Sequence, residues 1–91
     1  MQSKIRNGVT MSTLEKNSND LFLKTMGKNL EKVRNAKGFS QDRLTEECGL
    51  SKGAISKIES GKVSVKVITL AKIADTLKVS IHKIVPGFSD R

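Results

Sequence analysis

The chain has little of what catalysts and readers of single-stranded nucleic acid are built on. Its 91 residues include one histidine, one cysteine and one proline, no tryptophan or tyrosine, and three phenylalanines. Cys48, the single cysteine, can form no disulfide within the chain and no cysteine-based zinc site. His82 has no second histidine to pair with. No metal site and no set of nucleophile, base and orienter can be assembled, and no phosphate-cradling glycine loop appears. The expectation is therefore no enzyme, no cofactor and no metal. Readers of single strands stack bases on aromatic platforms. Phe22, Phe39 and Phe88, of which the core needs at least one, argue against such a reader. No apolar run approaches the roughly 20 residues of a membrane span, and no signal-peptide core follows the N-terminus. These absences predict a cytoplasmic chain with no membrane partner.

Acidic residues are also few. Nine Asp and Glu face seventeen Lys and Arg, for a net charge of +8. That excess points to a polyanion, although charge alone does not separate DNA from ribosomes or membrane surfaces. A chain of this length holds one domain and buries only about 60–65% of the surface it exposes when unfolded. Helices with short connections suit so small a core, and so does burial against a second copy.

What is present is helical punctuation. Met1 to Asn19 lacks a sustained apolar period and reads as a flexible arm over residues 1–19. From Asp20 to Lys37, Phe22, Met26, Leu30 and Val33 recur at helical spacing, with Ser18 or Asn19 as cap and Gly38 as stop. A second helix is predicted from a Ser40 cap through Gln41 to Cys48. A third runs from a Ser51 cap through Lys52 to Ser60. A fourth starts near Ser64 and carries Val67, Leu70, Ile73, Ala74 and Leu77. A short fifth follows Ser80 and stops at Pro86-Gly87. The domain then spans 20–86, with a tail at 87–91.

The segment Ser40 to Gly61 carries the chemistry. Gly49-Leu50-Ser51 joins two helices through a tight turn, so the second can project from the body. On that second helix Ala54, Ile55 and Ile58 face inward. Gly53, Ser56, Lys57 and Ser60 face outward, with Lys52 at the N-terminal lip. This outer face is small, polar and basic, and the helix N-termini add partial positive charge. Glu59 breaks the pattern, because it lies one turn beyond inward-facing Ile55. A half-buried carboxylate needs a partner, and Arg34 at the end of the first helix is the best placed. An Arg34–Glu59 ion pair is therefore predicted, orienting the projecting helix more than stabilising it.

At these residues the chain resembles the Cro/C1-repressor (XRE) helix-turn-helix family over roughly Met26 to Val85. The matching pieces are Leu30…Arg34…Gly38-Phe39-Ser40-Gln41…Leu44, then Cys48-Gly49-Leu50-Ser51. They continue through Ile55-Ser56-Lys57-Ile58-Glu59-Ser60-Gly61 and Leu70…Ile73-Ala74…Leu77. The resemblance implies an all-α, compact five-helix lambda-repressor-like bundle. It also implies a transcriptional regulator that binds double-stranded DNA, usually as a homodimer on a palindromic operator. Carried over by position, Lys52, Gly53, Ser56 and Lys57 would meet bases. Gln41, Ser60 and Lys62 would meet phosphates, and Ser40, Ser51 and Lys66 are read beside them as further phosphate contacts. The chain departs from the family at Thr45, where alanine is common and the hydroxyl must find a partner. It departs again at Lys52, in place of a frequent glutamine, and at Gly53, which leaves a reading position without a side chain. Val63-Ser64-Val65 also lacks the proline frequent before the fourth helix.

The apolar set near the C-terminus exceeds what a small bundle must bury. Leu77, Ile81, Ile84 and Val85 are accordingly expected at a two-fold dimer interface, with core packing as the other reading. An alternative biology is the antitoxin of a toxin–antitoxin pair, binding a toxin protein and autoregulating its operon.

Overall fold

Leu23, Met26, Leu30 and Val33 lie on one face of the first helix, and Met26 and Leu30 are fully buried. Around that stripe the computed structural model describes the backbone of residues 9–87 and the side chains of residues 19–87. The described elements are α1 (Val9–Ala36), α2 (Gln41–Glu47), α3 (Ala54–Glu59), α4 (Val67–Leu77) and a 3-10 turn (Ile81–Lys83). The fold is therefore all-α, with four helices and a single closing turn where a fifth helix was expected. Pro86 lacks an N–H and disfavours helical backbone at Val85, which stops the fifth element short.

α1 is 28 residues long and starts at Val9, so neither Ser18 nor Asn19 caps it. Residues 9–19 of the expected arm continue the helix instead. Adding residues to a formed helix costs far less than nucleating one, and no Gly or Pro interrupts this stretch. Residues 1–8 of the arm and residues 88–91 of the tail lie outside the described residues.

α2 begins at Ser40, whose Oγ accepts the Arg43 N–H at 3.0 Å. The Arg43 guanidinium lies over the Phe39 ring, 4.1 Å from its centroid. Leu44 and Cys48 enter the core from this helix. The Thr45 hydroxyl donates to the Gln41 carbonyl at 2.7 Å, which answers its need for a partner. α4 starts at Val67 rather than near Ser64, with Lys66 as a cap that gives no side-chain hydrogen bond. Its Leu70, Ile73, Ala74 and Leu77 repeat at i, i+3, i+4 and i+7 and close the core.

The C-terminal end is tied to α1 by Asn29, whose Nδ2 donates to the Ile84 carbonyl at 3.0 Å. Ile84 is 0% exposed and Leu77 1% exposed. Both are core residues, which corrects their expected place at a dimer interface. Counting apolar side chains shows that something must be covered, but not which residues the bundle covers itself. Ile81 and Val85 are half-buried against the same core. Cys48 is buried, with its thiol 3.5 Å from Thr76 Oγ1, and His82 is half-buried.

Candidate nucleic-acid interface

α2 and α3 are joined by residues 48–53, and the entry into α3 differs from the sequence expectation. Ser51 and Lys52 precede the helix, and the Ala54 N–H donates to the Ser51 carbonyl at 3.0 Å. Gly53 is the N-cap, with φ 79 and ψ 1, and no side chain caps the helix. Ser51 is thus a turn residue, not the cap. Gly53 stands just outside the helix, so the cost glycine carries in a helix interior does not apply to it. In the left-handed region glycine is the cheapest residue, and other side chains are strained there.

Beyond that entry, α3 offers the solvent a short polar strip. Ser56, Lys57 and Ser60 are exposed, while Ile55 and Ile58 are buried. The Ser60 hydroxyl donates to the Lys57 carbonyl at 2.7 Å, which occupies its one hydrogen. Lys52, Lys57 and Lys66 line one cleft of about 390 Å³ with Ser51, Ser64 and Thr69. No carboxylate lines that cleft. It brings together three cations from the turn, α3 and the loop before α4. Lys62 is exposed nearby but outside the lining, and Ser40 and Gln41 belong to the α2 side. Ser64 and Thr69 were missed by sequence reasoning, since nothing in their spacing marks them.

The one acid of α3 is neutralised from behind. Arg34 Nε donates to Glu59 Oε2 at 2.6 Å and Nη2 donates to Oε1 at 3.0 Å. The remaining nitrogen, Nη1, donates to the Phe39 carbonyl at 2.8 Å and to Asn35 Oδ1 at 3.2 Å. Both side chains are more than nine-tenths buried. The hydrogen bond with Glu59 is the largest influence on the Arg34 guanidinium and raises its pKa above the ordinary value, against the opposing pull of burial. Such a fork-to-fork pair fixes orientation as well as distance.

Gln41 completes the arrangement. Its Nε2 donates to Glu59 Oε1 at 2.9 Å, so α1, α2 and α3 meet at one carboxylate. Sequence reasoning gave Gln41 to a phosphate and missed this bond. Only the three-dimensional crossing of α2 and α3 brings an amide 18 residues away to Glu59.

Among the described residues no helix is long and apolar enough to cross a membrane, and no cluster of potential ligands could hold a metal ion. Residues 30–84 match the helix-turn-helix family. The SPbeta prophage-derived HTH-type transcriptional regulator YonR of Bacillus subtilis is 34% identical over 61 residues, which is 67% of this chain and 56% of YonR. The HTH-type transcriptional regulator PuuR of Escherichia coli is 42% identical over 57 residues, or 63% of this chain and 31% of PuuR. The chain thus spans about half of the first relative and a third of the second. Among solved structures, the restriction-modification controller protein C.AhdI of Aeromonas hydrophila superposes with a TM-score of 0.66 at 29% identity, covering 68% of this chain and 94% of its own. The clp gene regulator ClgR of Corynebacterium glutamicum gives 0.66 at 27%, over 69% of this chain and 67% of that one. With the turn, the polar strip and the buried acid in place, the chain belongs to the Cro/C1-type (XRE) helix-turn-helix family of DNA-binding proteins, matched over residues 30–84.

Proposed function

We propose that this chain is a sequence-specific transcriptional regulator that lays α3 in the major groove of duplex DNA, two copies to a palindromic site. The observation that carries this reading is the cleft at the mouth of α3. Three lysines line it without an opposing acid, and the only acid of α3 is turned inward onto Arg34.

In this reading Lys57 and Ser56 reach base edges, with Lys52 at the lip of the groove. Gly53 lets the backbone come close. A lysine serves guanine O6 and N7, or a phosphate, according to where the groove wall lies. Lys66, Lys62 and Ser51 neutralise or bind phosphates. Ser40 retains its hydroxyl hydrogen for a phosphate oxygen, and Gln41 has a second amide hydrogen beyond the one given to Glu59. Ser60 joins them only by releasing the Lys57 carbonyl.

The pairing of copies rests on a separate feature. Two α3 helices in successive major grooves lie about 34 Å apart, so each stands roughly 17 Å from the two-fold axis. A pairing surface close beside α3 would suit that spacing. Val67 and Ile68 follow Lys66 and are 75% and 67% exposed. An apolar cleft of about 420 Å³ runs from Val67 to Phe22, Leu23 and Val85, sharing Ser64 and Val65 with the basic cleft, and Ile68 lies outside its lining. Of the four residues expected at a dimer interface, Val85 alone lines this cleft.

Selection of bound duplexes from a random pool tests the reading directly. A recovered inverted repeat, bound with steep salt dependence, is the expected result. A pool that stays random at moderate salt would overturn sequence-specific binding.

A further inference from the structure

Glu59 is held by α1 at two places. Its carboxylate meets Arg34, and its main chain rests on Gly27. A Cβ at Gly27 would overlap the Glu59 carbonyl oxygen and lie 2.7 Å from the Ile58 carbonyl oxygen. Both obstacles are backbone, so no side chain could swing aside. The contact is matched from the other side, in the turn that follows α3. A Cβ at Gly61, where φ is +76, would come within 2.8 Å of Lys24 Cα. Gly27 is buried within α1, and glycine is the poorest helix former after proline. Close approach, not local backbone preference, is therefore what its absent side chain provides.

Gly27 and Arg34 are seven residues apart, two turns of α1, and share a face. α3 has six residues, too few to hold an orientation without tertiary support. We propose that Gly27 is a positioning residue for DNA readout, setting the depth at which α3 seats on α1 and so the reach of Ser56 and Lys57. Arg34 fixes the direction of the helix and Gly27 fixes its height. A methyl group at Gly27 lifts the end of α3 that carries Lys57 while leaving the lysines of the surrounding surface in place. Readout of bases suffers, and attraction to phosphates does not.

The proposal rests on α3 being the base-reading helix, and the experiment separates the two. Affinities are measured for the pool-selected duplex and for a scrambled duplex of equal length, with wild type, Gly27→Ala and Lys57→Ala. Gly27→Ala is expected to unfold cooperatively and to bind the selected duplex about tenfold more weakly, near the low end of one good base contact. Its affinity for the scrambled duplex should change by less than about twofold, since phosphate attraction is indifferent to sequence. Amide shifts in its NMR spectrum should concentrate on residues 54–61. Equal loss on both duplexes, or wild-type affinity for both, would overturn the positioning role. If Gly27→Ala does not fold, Gly61→Asn presses on Lys24 from the other side with a residue that tolerates the left-handed backbone. Selective loss in that variant supports the proposal, and uniform loss or no loss overturns it. A wild-type protein with no preference between the duplexes removes the base-reading premise and the proposal with it. Lys57→Ala losing preference while both glycine variants keep it removes the positioning role alone.

Discussion

Arg34 grips Glu59 through both carboxylate oxygens, at 2.6 and 3.0 Å, across 25 residues of chain. The pair is buried, so removing one member strands the other. Glu59→Ala leaves a guanidinium without its anion and Gln41 Nε2 without its acceptor. A loss of about 3–5 kcal/mol in unfolding free energy is expected, as for other broken buried pairs. Arg34→Leu with Glu59→Leu removes both charges and should cost less than the sum of the single changes. Denaturant unfolding of wild type, Arg34→Leu, Glu59→Leu and the double variant measures the coupling. A cost below about 1 kcal/mol for Glu59→Ala, typical of an exposed pair, would remove the clamp from the account.

Gly53→Ala is a test of sign. Were Gly53 inside α3, alanine would stabilise the helix by about 0.5–1 kcal/mol. It is instead the cap, at φ 79, and a Cβ there meets nothing within 4 Å. The only consequence is backbone strain, so a loss of about 1–2 kcal/mol is expected. Thermal unfolding decides between the two, and a stabilised variant would put the start of α3 back at Lys52.

Gly53 also marks the limit of what the chain discloses before folding. Glycine is compatible with a turn and, at a cost, with a helix, so periodicity alone could not assign it. The Arg34–Glu59 contact was legible because Glu59 interrupts an inward stripe and an acid in that position demands a cation. The Gln41 bond was not, because its partner is chosen by how α2 crosses α3. The start of α1 was misread for a different reason. Ser, Thr and Asn suggest a cap or an arm, but a helix already formed extends through them cheaply. Leu77 and Ile84 show the same limit in the core, where apolar character was plain and the surface it faced was not. The core stripes of α1, α2 and α4 were readable in the main, since a helical period is local, but Phe22 and Val67, counted in them, are 41% and 75% exposed.

Ile68→Asp separates a packing surface from a pairing surface. Ile68 is 67% exposed in the single chain, so its replacement should alter unfolding free energy by less than about 0.5 kcal/mol. If a second copy covers it, a buried carboxylate appears at the joint and the pair weakens. Sedimentation should then show a shift toward monomer. Binding to a two-half-site duplex should weaken while binding to an isolated half-site stays as in wild type. An unchanged sedimentation profile and unchanged two-site binding would move the pairing surface elsewhere.

Lys57 and Lys66 line the same cleft but should fail in different ways. Lys57 stands on the exposed strip of α3, which the proposed docking turns toward base edges. Lys57→Ala should lose about 1–3 kcal/mol on the selected duplex and relax preference at one position. Lys66 lies on the extended backbone before α4, at φ −68 and ψ 148, off the α3 strip, and is proposed to meet a phosphate. Lys66→Ala should weaken selected and scrambled duplexes by the same factor and reduce the slope of log affinity against log salt by about 1. Titrations on both duplexes across a salt series distinguish the outcomes. If the salt slope falls for Lys57→Ala and preference is kept, Lys57 holds a phosphate, and Ser56 and Lys52 are left to read bases.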